Sequence, residues 1–196
     1  MRILVIGGTG FIGRHLIARL SGAQHQILVP TRRYGQGRDL QLLPTVTLLD
    51  RDVHDDAALD DLTRGCDAVV NLVGILHGKS GRPYGSDFAQ AHVHLPQRIA
   101  RACRRQGVRR LLHVSALGAD SAGASMYQRS KGDGETAIQK ELADWREGGW
   151  TIFRPSVVFG PDDNFTNMFA RLARWLPVLP LAGAQARMQP CLLYTS

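Results

Sequence analysis

Apolar residues in this chain follow two alternating rhythms. Short apolar runs at residues 3–6, 26–29, 46–49, 68–73, 110–114 and 150–153 have the length and character of buried strands. Between most of them the apolar positions recur three and four apart, around residues 11–21, 55–64, 87–106 and 125–147, which predicts helices. Strand and helix alternating without a linker predict an α/β chain built on a doubly wound parallel sheet. Residues 34–44 read as a loop or short helix. Residues 77–86, HGKSGRPYGS, read as a Gly-rich loop after the fourth strand, placed to cover a ligand, because ligands in such sheets sit beyond the carboxyl ends of the strands.

The first junction is the most informative. The run Ile3-Leu4-Val5-Ile6 enters Gly7-x-x-Gly10-x-x-Gly13 and a helical pattern follows at once. In such a turn Gly7 permits the tight bend, Gly10 removes a side chain that would block a phosphate, and Gly13 allows close packing of the helix. The helix start then offers free N–H groups and a partial positive charge to a pyrophosphate. This is the pattern of a Rossmann fold.

Composition narrows the class without changing it. The 196 residues are 44% apolar and 21% charged, enough for a sizeable core. No stretch reaches the roughly 20 apolar residues of a membrane span, and a strand beginning at residue 2 leaves no room for a signal peptide. The expected location is cytoplasmic, or peripheral at the inner face of a membrane. Cys66 and Cys103 read as reduced thiols, with no Cys/His cluster at metal spacing. The net charge of +7 has one dense run, Arg98 to Arg110, and without interleaved aromatics it reads as a solvated helix face and not a nucleic-acid patch.

The C-terminus breaks register. CLLYTS, residues 191–196, back-translates as TGT CTC TTA TAC ACA TCT, which resembles the end of a transposase adaptor used in sequencing libraries. We therefore expect 191–196 to be a non-native sequencing or cloning artefact. Residues 1–190 are expected to be a nucleotide-binding domain truncated at the C-terminus, its substrate portion missing.

Cofactor selection is read at the end of the second strand. NAD binders usually place Asp or Glu there for the ribose 2′-hydroxyl, whereas this chain has Val29-Pro30-Thr31-Arg32-Arg33. Two guanidiniums and no carboxylate predict NADP(H), with NAD(H) as the alternative and Arg32 as the leading contact. After the third strand, Asp52 is suited to accept from an adenine amino group and Val53 to pack on the base, although Asp52 is equally suited to start the next helix. Asn71-Leu72-Val73-Gly74 ends the fourth strand, where a small residue lets backbone pass close to a ribose. Tyr127 and Lys131, four apart on a helix, share one face, so an ammonium beside the phenol favours phenolate. Ser115, ending the fifth strand, completes a candidate acid/base site that would orient a carbonyl or hydroxyl.

These segments together, GGTGFIGRHL, VVNLVGIL, GVRRLLHVSALGAD, YQRSKGDGE, WTIFRPSVVFGPDDNF and LPVLPLAGAQARMQP, cover nearly all of residues 1–190. They resemble an atypical or extended short-chain dehydrogenase/reductase of the epimerase/dehydratase-like kind. Within it, the resemblance is closest to the group containing the nucleotide-binding accessory subunit of respiratory complex I and its bacterial relatives. The resemblance implies an NADP(H) pocket lined by Gly7, Thr9, Gly10, Phe11, Ile12, Gly13, Arg32, Asp52, Val53, Val73, Tyr127 and Lys131, with Pro155 backing the nicotinamide. It also implies a membrane-associated respiratory assembly as a partner. Two roles stay open, a structural or sensing dinucleotide binder and an NADPH-dependent reductase or epimerase-like enzyme using Ser115, Tyr127 and Lys131. Where active relatives carry Asn, this chain has His92, which disturbs the expected proton relay. Gly132 and Gly134 are expected to loosen the helix after Lys131, each by about 1 kcal/mol. Asp162, Asp163 and Asn164 read as a turn and helix cap, not a metal site.

Overall fold

The computed structural model describes residues 1–161, 163, 167–168, 174–175 and 189–193. They fall into two compact units, Met1–Arg154 and Pro155–Ser196. The first carries six parallel strands, β1 (Arg2–Ile6), β2 (Gln26–Thr31), β3 (Val46–Asp50), β4 (Ala68–Asn71), β5 (Arg110–Val114) and β6 (Gly149–Phe153), in the order β3-β2-β1-β4-β5-β6. The winding reverses between β1 and β4, which opens a crevice at the carboxyl ends of those two strands. The doubly wound Rossmann sheet expected from the alternation is therefore present.

Each strand feeds both faces because side chains alternate. Ile3, Val5, Ile27 and Val29 pack with Ile17 of α1 (Phe11–Gly22) and Leu40 of a 3-10 helix (Tyr34–Leu42). Leu4, Ile6, Val69 and Leu111 pack on the other face with α2 (Asp56–Thr63), α4 (Leu95–Arg105) and α5 (Met126–Glu141) through Leu59, Ile99 and Ile138. The predicted helix over 87–106 is composite: α3 (Ser86–Phe88), a π-helical stretch Ala89–His94, then α4. The helix expected to reach 147 stops at Glu141, where Leu142 and Trp145 turn into the core and the Trp145 N–H donates to the Leu142 carbonyl at 3.1 Å.

The arginine run is the largely exposed face expected, and three of its members also form ion pairs across helices. Arg98 pairs with Asp56 at 2.6 Å and Arg105 with Asp60 at 2.7 Å on α2, while Arg101 reaches Glu141 at the end of α5 at 2.7 Å. Three helices are thus cross-linked by the charges that gave the run its basic look. Cys66 and Cys103 are free thiols and both are buried, and burial pushes Cys103 up to about 12. Among the described residues no helix is long and apolar enough to cross a membrane.

In the second unit Val158–Phe159 (β7) pairs in parallel with Cys191–Leu192 (β8), residues expected to be non-native. Asp163 accepts from the Gly160 N–H at 3.2 Å, the turn-forming role expected of it; Asp162 and Asn164 lie outside the described residues. Among the described residues no His/Cys/Asp/Glu group is arranged to hold a metal.

Candidate functional site

The glycine turn is fixed by sterics. Gly7 has φ +83°, and a β-carbon on it would stand 3.0 Å from the Leu72 carbonyl carbon and 3.1 Å from the Val73 nitrogen, so the turn lies against the end of β4. Gly13 is closer still, since its β-carbon would meet the Gly8 oxygen at 2.5 Å. The Gly10 N–H donates to the Gly7 carbonyl at 3.1 Å, and Gly10 caps α1 without a side chain. No acidic residue stands in the first turn of α1, so the N–H groups of Phe11, Ile12 and Gly13 and the helix's positive end are left to an anion. Arg14 braces this turn: its Nε donates to the Thr9 carbonyl at 3.1 Å and its guanidinium pairs with Asp39 of the 3-10 helix.

Beside the turn lies a cavity of about 200 Å³. Ile6, Gly7 and Thr9 form one side of it, and Pro30, Thr31, Arg32 and Arg33 bring the end of β2 to another. Arg51, Val53 and His54 come from the end of β3, and Val73 and Leu95 also line it. The expected Arg32, Arg33, Val53 and Val73 are therefore brought together. Asp52 is not among the lining residues; it is exposed, and its Oδ1 accepts the His54 N–H at 3.0 Å. Nor does Asp52 start the next helix, because Asp55 caps α2 by accepting from the Ala57 and Ala58 N–H groups. Thr31, Arg51 and His54 are additions that strand ends alone did not reveal. Burial chiefly holds His54 below its ordinary value, with Arg32 and Arg98 reinforcing and Asp52 opposing.

The other side of the crevice is a layer of buried polar groups between the sheet and the α4–α5 face. Asn71 on β4 donates through Nδ2 to His113 Nδ1 on β5 at 3.1 Å and accepts the Val73 N–H at 3.1 Å. His92, in the π-helical stretch, accepts the Ile75 N–H on Nε2 at 3.1 Å, so its proton sits on Nδ1 and is donated to Ser130 Oγ at 2.8 Å. Ser130 in turn donates to the Tyr127 carbonyl at 2.9 Å. Both imidazoles are held neutral, pushed down to about 3 by burial first and then by the Lys131 charge.

Lys131 is buried and donates from Nζ to the Val114 carbonyl at 3.1 Å, at the very end of β5. A β-carbon on exposed Gly74 would lie 3.5 Å from that nitrogen, which places the ammonium beside the backbone expected to pass a ribose. Burial lowers Lys131 to about 8, with Glu135 opposing. Glu135 is itself buried and bound by Arg154, whose Nε donates to its two oxygens at 2.9 and 3.1 Å. Tyr127 is half-buried with its ring edge-on to His92 at 5.5 Å between centroids. Burial pushes its phenol up, the reverse of the lowering expected from a neighbouring ammonium, because desolvation of a phenolate dominates here. Ser115 Oγ is buried without a hydrogen-bond partner among the described residues.

Gly132 and Gly134 do not loosen α5. A β-carbon on Gly134 would fall 1.9 Å from the His92 carbonyl oxygen, and one on Gly132 would fall 2.3 Å from the Ser121 nitrogen. They are the points where the helix bearing Tyr127 and Lys131 touches neighbouring backbone. The loop over 77–86 is tied to the same helix, with Tyr84 donating to Asp133 at 2.7 Å and Arg129 to the Pro83 carbonyl at 2.7 and 2.9 Å. Pro155 is the first residue of the second unit.

Residues 3–179 match the NAD dependent epimerase/dehydratase family. The chain is 32% identical over 183 residues to mitochondrial NADH dehydrogenase (ubiquinone) 1 alpha subcomplex subunit 9 of Mus musculus, covering 91% of this chain and 46% of that one. It is 29% identical over 191 residues to the ceramide reductase of Caulobacter vibrioides, covering 95% and 55%. It thus spans about half the length of the curated relatives it matches. A mutant of UDP-glucuronic acid 4-epimerase of Bacillus cereus, in complex with UDP-4-deoxy-4-fluoro-glucuronic acid and NAD, superposes with a TM-score of 0.82 at 20% identity over 99% of this chain and 70% of the other, a likeness of fold. With a glycine turn whose sterics exclude side chains and a match spanning nearly the whole chain, the protein belongs to the NAD dependent epimerase/dehydratase family.

Proposed function

We propose that this protein is an NADP(H)-binding component that holds its dinucleotide as a structural or sensing element. The observation that carries the cofactor choice is Arg32 and Arg33 facing the cavity at the end of β2, with no carboxylate paired to either among the described residues. A 2′-phosphate suits two guanidiniums, and a bare 2′-hydroxyl lacks the acid it usually finds there. The uncapped start of α1 fits the pyrophosphate, with Gly7, Gly10, Gly13 and Thr9 forming the cradle. Val53 packs on the base, and Lys131 and Gly74 serve the ribose next to Asn71 and Val73. Asp52 is the weakest member of that set, because its carboxylate turns to His54.

The binding role is supported by His92. Where active relatives carry Asn for a proton relay, both ring nitrogens of His92 are engaged by Ile75 and Ser130, so the ring ties the loop after β4 to α5. The likeness to a respiratory complex I subunit supports a partner of the same kind, a membrane-associated respiratory assembly, with the protein cytoplasmic or peripheral at the inner face. The second reading, an NADPH-dependent reductase, is favoured by one observation. Ser115 Oγ, buried and unpartnered, stands at the end of β5 one residue beyond the carbonyl that binds Lys131. When bound, the nicotinamide would supply hydride; Tyr127, kept protonated by burial, would be the proton donor and Ser115 would orient the carbonyl.

Fluorescence titration tests the first reading: NADPH binds more tightly than NADH, and Arg32→Ala erodes the difference. Equal affinities in the unaltered protein overturn it. NADPH oxidation against a panel of carbonyl compounds and nucleotide sugars separates the roles, since robust turnover lost on Tyr127→Phe with NADPH affinity retained establishes the reductase.

A further inference from the structure

The register between β2 and β3 brings a third cation into the cavity. Thr31 pairs with Asp50, so the chains leave the sheet side by side and their next residues are Arg32 and Arg51. Arg51 is exposed, lines the same cavity as Thr31, Arg32 and Arg33, and donates one Nη1 hydrogen bond to the Asp50 carbonyl at 3.0 Å. That leaves most of its five N–H donors for another acceptor.

Six of this unit's arginines are matched by a carboxylate, and what sets Arg32, Arg33 and Arg51 apart from the other unpaired ones is that they line the cavity. Arg14, Arg64, Arg98, Arg101, Arg105 and Arg154 each pair with an Asp or Glu. Among the described residues no such pair involves Arg32, Arg33 or Arg51. Neither adjacent carboxylate, Asp50 or Asp52, forms an ion pair with Arg51 among the described residues; Asp52 turns its Oδ1 to the His54 N–H, and His54 adds a hydrogen-bonding ring to the wall. Three guanidiniums around about 200 Å³ repel one another until an anion of higher charge lies between them. A phosphomonoester dianion, with three acceptor oxygens in different directions, satisfies guanidiniums arriving from two strand ends.

We propose that Arg51 is a specificity-determining residue that binds the 2′-phosphate of NADP(H) together with Arg32. This rests on the NADP(H) reading above. The competing role for Arg51, its guanidinium plane stacked on the adenine, predicts a different pattern of losses.

The test compares NADPH, NADH, 2′,5′-ADP and inorganic phosphate on the full chain and on Arg51→Gln, which keeps most of the aliphatic stem. A charge-assisted contact predicts that Arg51→Gln weakens NADPH and 2′,5′-ADP by about 10- to 100-fold while NADH changes by less than about 2-fold. Arg51→Lys restores part of the loss, and matching thermal melts establish that the fold is kept. Equal weakening of NADPH and NADH overturns the proposal in favour of stacking. Unchanged NADPH affinity in Arg51→Gln, while the unaltered protein still prefers NADPH, overturns the proposal and leaves the NADP(H) reading standing. No preference in the unaltered protein overturns both. Inorganic phosphate displacing 2′,5′-ADP at equal concentration would make the pocket a free-phosphate site and overturn it as well.

Discussion

The two sides of the crevice handle charge in opposite ways. At the ends of β2 and β3, Arg32, Arg33 and Arg51 reach an open cavity, and recognition there is carried by exposed cations and by backbone N–H groups. At the ends of β4 and β5, Asn71, His113, His92, Ser130 and Lys131 are buried, and nearly every polar atom is engaged by another part of the protein. The first side is a surface that can be altered without touching the core. The second is part of the core, so its chemistry and its stability are one problem.

The largest expected effect lies on the buried side. Gly134→Ala sets a carbon where the His92 carbonyl stands and should cost about 3 kcal/mol or more, read as a fall in the urea midpoint. A stable Gly134→Ala protein would mean that α5 is free to shift and that the contrast is false. On the open side, Gly10→Val should lower stability by only about 1 kcal/mol, because Gly10 has just the Gly7 carbonyl within reach at 3.3 Å. The same change should weaken NADPH by about 100-fold, equivalent to about 3 kcal/mol, by obstructing the pyrophosphate.

Acid sharpens the comparison further. His92 and His113 are held near 3, below the ordinary 6.5, so the unfolded chain takes up protons across that interval that the folded chain refuses. Their contribution is complete above pH 6.5 and is lost as pH falls toward 3, at up to about 1.4 kcal/mol per pH unit for each ring. Urea unfolding at a series of pH values should show His113→Gln removing one ring's share of that slope. An unchanged slope would place the acid sensitivity elsewhere. The smallest effect is expected on the helical exterior, where Arg105→Ala removes its pair with Asp60 and should cost less than about 1 kcal/mol, measurable as a shift of a few degrees or less in Tm.

Much of the open side was legible because its physics is local. Gly7, Gly10 and Gly13 act through the turn they form, and Arg32 and Arg33 follow their strand directly. The alternation of strands and helices likewise needed no partner to be recognised. The buried side was less legible because its meaning depends on contacts 40 residues or so away in sequence. Gly132 and Gly134 looked like flaws in a helix until the carbonyl of His92 and the backbone at Ser121 were found against them. The ion pairs of the largely exposed Arg98–Arg105 run were not legible because Asp56, Asp60 and Glu141 belong to other helices. Arg51 was hidden by register, since only the pairing of Thr31 with Asp50 reveals that it stands next to Arg32.

The π-helical stretch Ala89–His94 carries a consequence for how this site varies in descent. A π-turn is an α-helix that has accommodated one additional residue. Deleting a single codon between 89 and 94 would let the backbone return to α-helical phase with α3 and α4 nearly unrotated, and would shift the side chains within the stretch by about one position around the helix. His92 would then lose either Ser130 or Ile75, and the loop after β4 would be released. One-residue length changes at this spot, more than point substitutions around it, are therefore the steps by which lineages sharing this fold would gain or surrender a histidine latch over the crevice.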